Sequence, residues 1–411
     1  MSTRVDAVRE KTLEIARNRV VPAPLLTEAA ALRLGTGGQF DNFFLWDTAF
    51  TVIWARYLIE FLPVASSLDN LYQVREEDGF ICREYFPSGE PIWDSRHPIA
   101  FAPPLLTWAE LALFEITEDR ERLTTVYPLL ERHHRACQQK YRSEDGLYIG
   151  DPLGCGMDNL PRCPRGWQPD GEGITLEADY VHESLHPLLD WLASDPRFRW
   201  NRQCRWIDMS AQMALDARLL AKLAGLLGKD SDAGMFSAEH QRLGQLIHEK
   251  CWNQSAQMYF DLAGAKQIER FHVGAYWTLI AGIVPEDCVA GLVSHLLDPD
   301  KFLSLVPVAT LARDDPDFEP TGRYWRGSSW PPTTYMVLAG LRHVGEQELA
   351  TRIAERYLEA VLQVFEETGT LWENLAPDAR QPGEPAQPDF CGWAGLGSVA
   401  IPHEFLGMSM T

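Results

Sequence analysis

The stretch 207–226, IDMSAQMALDARLLAKLAGL, decides the fold class, because Ile207, Ala211, Leu215, Leu219, Leu223 and Leu226 recur at three- and four-residue steps. That recurrence is the period of a helix with one apolar face. The same period returns at Val5, Val8, Leu13 and Ala16, and again at Leu349, Ile353, Tyr357, Val361 and Val364. Further helices are expected near 44–62, 64–77, 103–116, 121–142, 175–194, 232–250, 271–283, 286–298, 331–344 and 392–406. Start signals mark several of them: Thr175, Ser231 with Asp232, and Pro285 before Glu286 and Asp287.

Strand signals are few. The segment 79–93, GFICREYFPSGEPIW, reads as a β-hairpin around Pro87-Ser88-Gly89, and GLYIG (146–150) and MYFDL (258–262) read as short extended pieces. About a dozen helices with no clear linker argue for paired helices closing into a ring as a single all-α domain over residues 1–411. One connection is far too long for a helical hairpin. From Asp298 to Trp330 the sequence has little periodicity, and a long structureless segment inside a compact domain is usually functional.

Composition narrows the partners. The chain has 411 residues and a net charge of -21, so its field repels nucleic acid and anionic membranes. No apolar run reaches membrane-span length, and the charged N-terminal helix lacks the apolar core of a signal peptide, which predicts a soluble cytoplasmic chain. Eight cysteines (82, 137, 155, 163, 204, 251, 288 and 391) are scattered without a CxxC pair and read as reduced, mostly buried thiols. His182 and His186 have helix-compatible spacing, but no metal-ligand pattern forms around them, and neither a metal nor a cofactor is expected. Asp314, Asp315 and Asp317 read as a solvated loop in preference to a calcium site.

Fourteen Trp, 12 Tyr and 18 Phe are many for a chain of this size, and several fall in Gly/Pro-punctuated loops. Flat rings on loops suit the apolar faces of sugars, with a large core as the plainer reading. Four segments combine such rings with charge: FFLWDTAF (43–50), GCGMDNLPR (154–162), GRYWRGSSWP (322–331) and TLWENLAP (370–377). Each has an ordinary explanation alone. Asp47 is compatible with a helix cap, Asp158 with an Asx turn, Arg326 with a cation-π cluster and Glu373 with a surface acid near a helix end. Together they supply what glycoside hydrolysis needs, two carboxylates from distant sequence set in aromatic walls. No GxSxG, P-loop, GxGxxG after a strand, or HExxH supports another chemistry.

At these segments the sequence resembles glycoside hydrolase family 63 and the mannosylglycerate/glucosylglycerate hydrolase-like enzymes, with more distant kinship to family 37 trehalases. The resemblance runs through LWDTAF, GFICREYF, FAPPLLTWA, GMDNLPR, YWRGSSWPPTTYM, LWENLAP and FCGWAGLGSVAI in that order. It implies an (α/α)6 barrel with short β-hairpins in the loops at its mouth, and inversion at the anomeric carbon of a small α-glucoside or α-mannoside. By motif, Asp158 is the expected general acid and Glu373 the expected general base. Trp46 and Asp47 are expected to hold the sugar. Tyr324, Trp325, Arg326, Gly327 and Trp330 are expected to line its pocket, and Trp393 to close it. Phe43, Arg83, Tyr85, Asn159, Arg162 and Trp372 complete the expected substrate contacts.

The chemistry requires an acid kept protonated by apolar surroundings and an opposed carboxylate about 6.5–9.5 Å away to activate water. The sequence departs from the family pattern at Ala102, Leu160, Thr334 and Leu375, which flank the sugar and leaving-group sites and leave the aglycone open. An anionic aglycone would call on Arg83, Arg162, Arg165 and His97. Two readings of other classes remain: an epimerase on the same kind of barrel using His182, His272 and His403, and a sugar-binding protein without turnover.

Overall fold

The computed structural model describes residues 2–23, 31–162, 176–190 and 204–410. In chain order its α-helices are α1 (Ser2–Asn18), α2 (Leu45–Ala55), α3 (Val64–Gln73), α4 (Leu106–Thr117), α5 (Arg120–Tyr141), α6 (Ile207–Leu226), α7 (Asp230–Cys251) and α8 (Trp277–Ala281). They continue with α9 (Glu286–Ser294), α10 (Pro331–His343), α11 (Gln347–Thr368), α12 (Cys391–Gly395) and α13 (Ile401–Leu406). The described strands are two or three residues long and form small sheets, antiparallel at Val20–Pro22 with Leu32–Leu34 and throughout residues 204–268. The chain divides into two compact units: Met1–Phe43 with Asp47–Asn70 and Phe271–Thr411, and Phe44–Trp46 with Leu71–Arg270.

In the first unit, α10 packs on α8 and α11, and α11 on α13. Helix α10 begins where Pro331 and Pro332 occupy its first turn, positions whose N–H groups have no intrahelical acceptor anyway. Helix α11 buries Leu349, Ile353, Tyr357, Leu358, Val361 and Val364, each worth roughly 1.5–3 kcal/mol of transfer free energy. It stops at Gly369, whose φ of 74° is the left-handed conformation that lets its N–H return to Phe365 O at 2.7 Å. Beyond Gly369, Trp372 and Leu375 make isolated bridges to Pro388 and Ser329, with a bend at Glu373 between them. Glu373, expected at a helix end, therefore lies beyond that end, in a segment whose Leu375 pairs with Ser329.

In the second unit, α6 packs against α4, α5 and α7, with every residue from Ile207 to Ala217 buried. The apolar stripe read from 207–226 is thus one side of a helix whose other side is buried too. That other side carries Asp208, Gln212 and Asp216 at four-residue steps. Asp261 starts the middle strand of a three-stranded sheet, Cys204–Arg205 with Asp261–Ala263 with Lys266–Ile268. MYFDL divides between that strand and the strand Met258–Tyr259, which pairs with Trp252–Asn253. GLYIG contributes only an isolated bridge, Tyr148 to Arg142. In the hairpin segment, Tyr85 pairs with Pro91 and Phe86 N–H donates to Glu90 O at 2.9 Å.

Three expected helices differ. The segment 271–283 is a 3-10 turn, Val273–Tyr276, followed by the five-residue α8. The described part of 175–194 contains 3-10 turns at Ala178–Tyr180 and Glu183–Leu188, where Pro187 has no N–H for an α-helical ladder. The segment 392–406 is broken by a π-turn, Leu396–Ala400, between α12 and α13. From Asp298 to Trp330 there is neither helix nor strand, as its lack of periodicity implies. No helix among the described residues is long and apolar enough to cross a membrane. Cys163, Arg165 and Thr175 lie outside the described residues.

Candidate active site

Glu373 is 2% exposed and held at both carboxylate oxygens. The Tyr324 hydroxyl donates to Oε1 at 3.1 Å, and the Gln387 N–H donates to Oε2 at 3.1 Å. Its backbone is clamped as well, with its N–H to Gln387 O at 2.9 Å and Trp393 Nε1 donating to its carbonyl at 2.8 Å. These contacts fix both the plane and the direction of the carboxylate.

An indole wall stands beside it. Trp325 and Trp330 stack with centroids 3.9 Å apart and planes 4° from parallel, and Trp330 meets Trp393 edge-on at 5.7 Å. The long loop bends sharply to deliver Tyr324, with Arg323 and Tyr324 at φ of 33° and 68°. Trp330 Nε1 secures that bend by donating to Tyr324 O at 3.2 Å, and Gly327 N–H donates to Thr310 Oγ1 at 3.2 Å. Arg326 is half-buried, and its enclosed Nε has no hydrogen-bond partner among the described residues. Asp47, in the first turn of α2 and 7% exposed, faces Gly392, the residue before Trp393: a Cβ at Gly392 would stand 3.5 Å from Asp47 Oδ1.

Four residues expected at a site, Phe43 and Trp372 as sugar contacts and His403 and His272 on the epimerase reading, have partners within this unit. Phe43 is 2% exposed beneath the Arg33 guanidinium, 4.9 Å from its centroid. Trp372 turns toward α11, donating Nε1 to Thr368 Oγ1 at 3.0 Å and lining an apolar hollow with Pro331, Tyr357 and Val361. His403 contacts Met408 O through Nδ1, and His272 is buried, its backbone bridged to Leu311.

Asp158 belongs to the second unit, half-buried with Asn159 on a loop whose neighbours Met157 and Leu160 are buried. The loop is stiff. Asp151 Oδ1 accepts from Leu153 N–H and Gly154 N–H at 2.9 and 3.3 Å, and Leu160 N–H returns to Met157 O at 3.0 Å. Gly156 has φ 79°, and a Cβ there would stand 2.8 Å from the Trp46 ring, so this position must be bare for the indole to lie against the loop.

Arg83 feels the charge of Asp158. Burial alone would lower its pKa, but the carboxylates of Glu84, Asp158 and Asp151 outweigh burial and raise it. Its Nη2 donates to Glu84 Oε2 at 3.2 Å, whereas its enclosed Nη1 has no partner among the described residues. Tyr85 is buried and its hydroxyl is engaged by the backbone, accepting from Cys82 N–H at 2.6 Å and donating to Val74 O at 3.3 Å. His97 is fully buried and caps a short turn, its Nδ1 accepting from Ile99 N–H at 3.1 Å. His182 lies near the surface, bonded to Ser184.

Arg162 departs most from a substrate contact. Its Nε and Nη2 donate to Asp261, Nη1 and Nη2 to Asp208, and Nη1 also reaches Cys155 Sγ. Sequence reading singled out neither Asp208 nor Asp261. The available signal was Asp208, Gln212 and Asp216 at four-residue steps along one helix, polar residues on a face that the apolar stripe leaves open.

Carboxylates set among indole rings on a mainly helical frame suit a glycosidase. Residues 41–393 match the model of the mannosylglycerate hydrolase MGH1-like glycoside hydrolase domain, and the chain belongs to that family. It is 27% identical to a mannosylglycerate hydrolase of Thermus thermophilus over 77% of this chain and 85% of that one. It is 21% identical to a trehalase of Apis mellifera over 82% of this chain, but spans only 56% of that protein's length. The solved family 63 mannosylglycerate hydrolase of Thermus thermophilus, in complex with glucose, has a TM-score of 0.72 at 21% identity, covering 95% of this chain and 99% of that one. The two share a fold.

Proposed function

We propose that this protein is an inverting α-glycosidase acting on a small α-glucoside or α-mannoside, with Asp158 as general acid and Glu373 as general base. The observation that carries this reading is the fixed carboxylate of Glu373, bound by Tyr324 and Gln387 beside the Trp325–Trp330–Trp393 wall. Asp158 gives its proton to the glycosidic oxygen as the bond from the anomeric carbon to that oxygen breaks. Glu373 takes a proton from water as that water's oxygen bonds to the same carbon from the opposite face, leaving the β-anomer. Arg326 Nε and Arg83 Nη1, unpaired among the described residues, suit sugar or aglycone oxygens. Trp46, Asp47 and Trp393 are taken to hold the sugar.

The family match crosses both compact units, which supports reading residues 1–411 as one (α/α)6-barrel domain with short hairpins in its loops. The names of the Thermus and Apis relatives make mannosylglycerate and trehalose the first substrates to try, with glucosylglycerate beside them. Seven described thiols, all buried and unbridged, support a reducing, cytoplasmic setting.

The test follows the released sugar by NMR across that panel. A β-anomer appearing first supports inversion; an α-anomer appearing first overturns it. Asp158→Asn and Glu373→Gln should each lower kcat by about 1000-fold or more with Tm unchanged, and near-wild-type turnover would refute the assigned roles.

A further inference from the structure

Arg162 is 5% exposed, its guanidinium lies 3.8 Å over the Trp206 ring, and its five N–H groups all have acceptors within the protein. A guanidinium has five donors, so none is left for a ligand. Burying two carboxylates and one cation is costly, which makes their placement informative. Asp208 stands at the second position of α6 and its Oδ1 also accepts from Met209 N–H at 2.8 Å; Asp261 Oδ1 accepts from Ile207 N–H at 2.9 Å. The knot therefore ties Arg162 to the start of α6 and to the strand Asp261–Ala263.

It also ties the loop to itself. Arg162 Nη1 reaches Cys155 Sγ at 3.6 Å, and the same sulfur accepts from Met157 N–H at 3.4 Å. Residues 155 and 162 are thereby joined across a segment with Asp158 near its middle. On the N-terminal side the loop is anchored by Asp151, and in between it rests on Trp46.

We propose that Arg162, with Asp208 and Asp261, is a positioning residue for Asp158: the buried ion knot sets where the proton donor stands without touching the sugar. This rests on Asp158 being the general acid. A donor displaced by about 1 Å costs about 100-fold in rate. The loss should fall only on leaving groups that need a proton.

The variant is Arg162→Lys, which keeps the charge but cannot bridge two carboxylates bidentately; Asp261→Asn serves if the lysine variant does not fold. Each is assayed on the α-glycoside found above and on the α-glycosyl fluoride of the same sugar, whose fluoride leaves without protonation. The expected result is about a 100-fold fall in kcat on the glycoside, with KM within about twofold and the fluoride rate nearly unchanged. Equal losses on both substrates, or no loss on the glycoside, overturn the proposal.

Asp158→Asn in the same two assays separates the failures. If that variant shows no leaving-group dependence, the acid assignment is what fails. Hydrogen exchange of the full-length protein then judges the anchor alone. Amides of 154–160 should exchange faster in Arg162→Lys than in the wild type, and unchanged exchange there overturns the anchor.

Discussion

Tyr324 gives Glu373 a hydrogen bond from a residue held at positive φ, and Trp330 in turn holds the Tyr324 carbonyl. A hydrogen bond to a charged group is worth about 1.5–3 kcal/mol, so Tyr324→Phe should lower kcat about 10- to 100-fold. Steady-state kinetics on the best substrate checks this, and the Trp325–Trp330 stack should survive because the phenyl ring remains. Glu373 stood out in TLWENLAP as an acid between an aromatic and an Asn, but alone it read equally as a surface acid near a helix end; its burial against Tyr324 and Trp393 depends on residues 49 and 20 positions away. Arg162 was legible as important but not as what it is. Its partners lie 46 and 99 residues further along the chain, and no local pattern marks such a pairing.

At the scale of elements, α5, α6 and α7 meet around two adjacent histidines with opposite behaviour. Burial would lower the His134 pKa, but hydrogen bonds to Asp216 at 2.7 Å and Glu239 at 3.2 Å outweigh it and raise it to about 9. Burial lowers His133 to about 4, against the pull of Asp216, and its Nδ1 accepts from Ile81 N–H. The unfolded value for both is about 6.5. The His134 contribution is therefore complete below that value and is lost as pH rises through about 9. The His133 contribution is complete above it and is lost as pH falls toward 4.

Tm measured across this range should fall on both sides of a maximum. His134→Gln should flatten the alkaline arm and His133→Gln the acid arm. The helices that carry these residues were readable because their apolar residues recur at a 3.6-residue period. The π-turn at Leu396–Ala400 was not, because the same apolar and small residues satisfy an α-helix equally well.

For the whole molecule, the net charge of -21 opposes any anionic substrate. Raising salt from about 10 to about 150 mM shortens the screening length from about 30 to about 8 Å. kcat/KM for mannosylglycerate should therefore rise several-fold, while that for neutral trehalose stays flat; equal responses would show that the field plays no part. The division into units was the least legible feature. Phe44–Trp46 groups with Leu71–Arg270 while Asp47–Asn70 groups with Phe271–Thr411, and contacts between such distant segments leave no periodic trace in a sequence.

The buried thiols turn that division into something a chemist can time. Cys288 and Cys391 lie in the first unit and Cys82, Cys137, Cys155, Cys204 and Cys251 in the second, so each unit carries its own alkylation sites. Burial pushes the Cys82 and Cys391 thiols up to about 12, which keeps them unreactive until the surrounding core opens. A brief pulse of alkylating reagent followed by peptide mass mapping then gives each unit a separate clock, and the unit labelled sooner is the one that opens first.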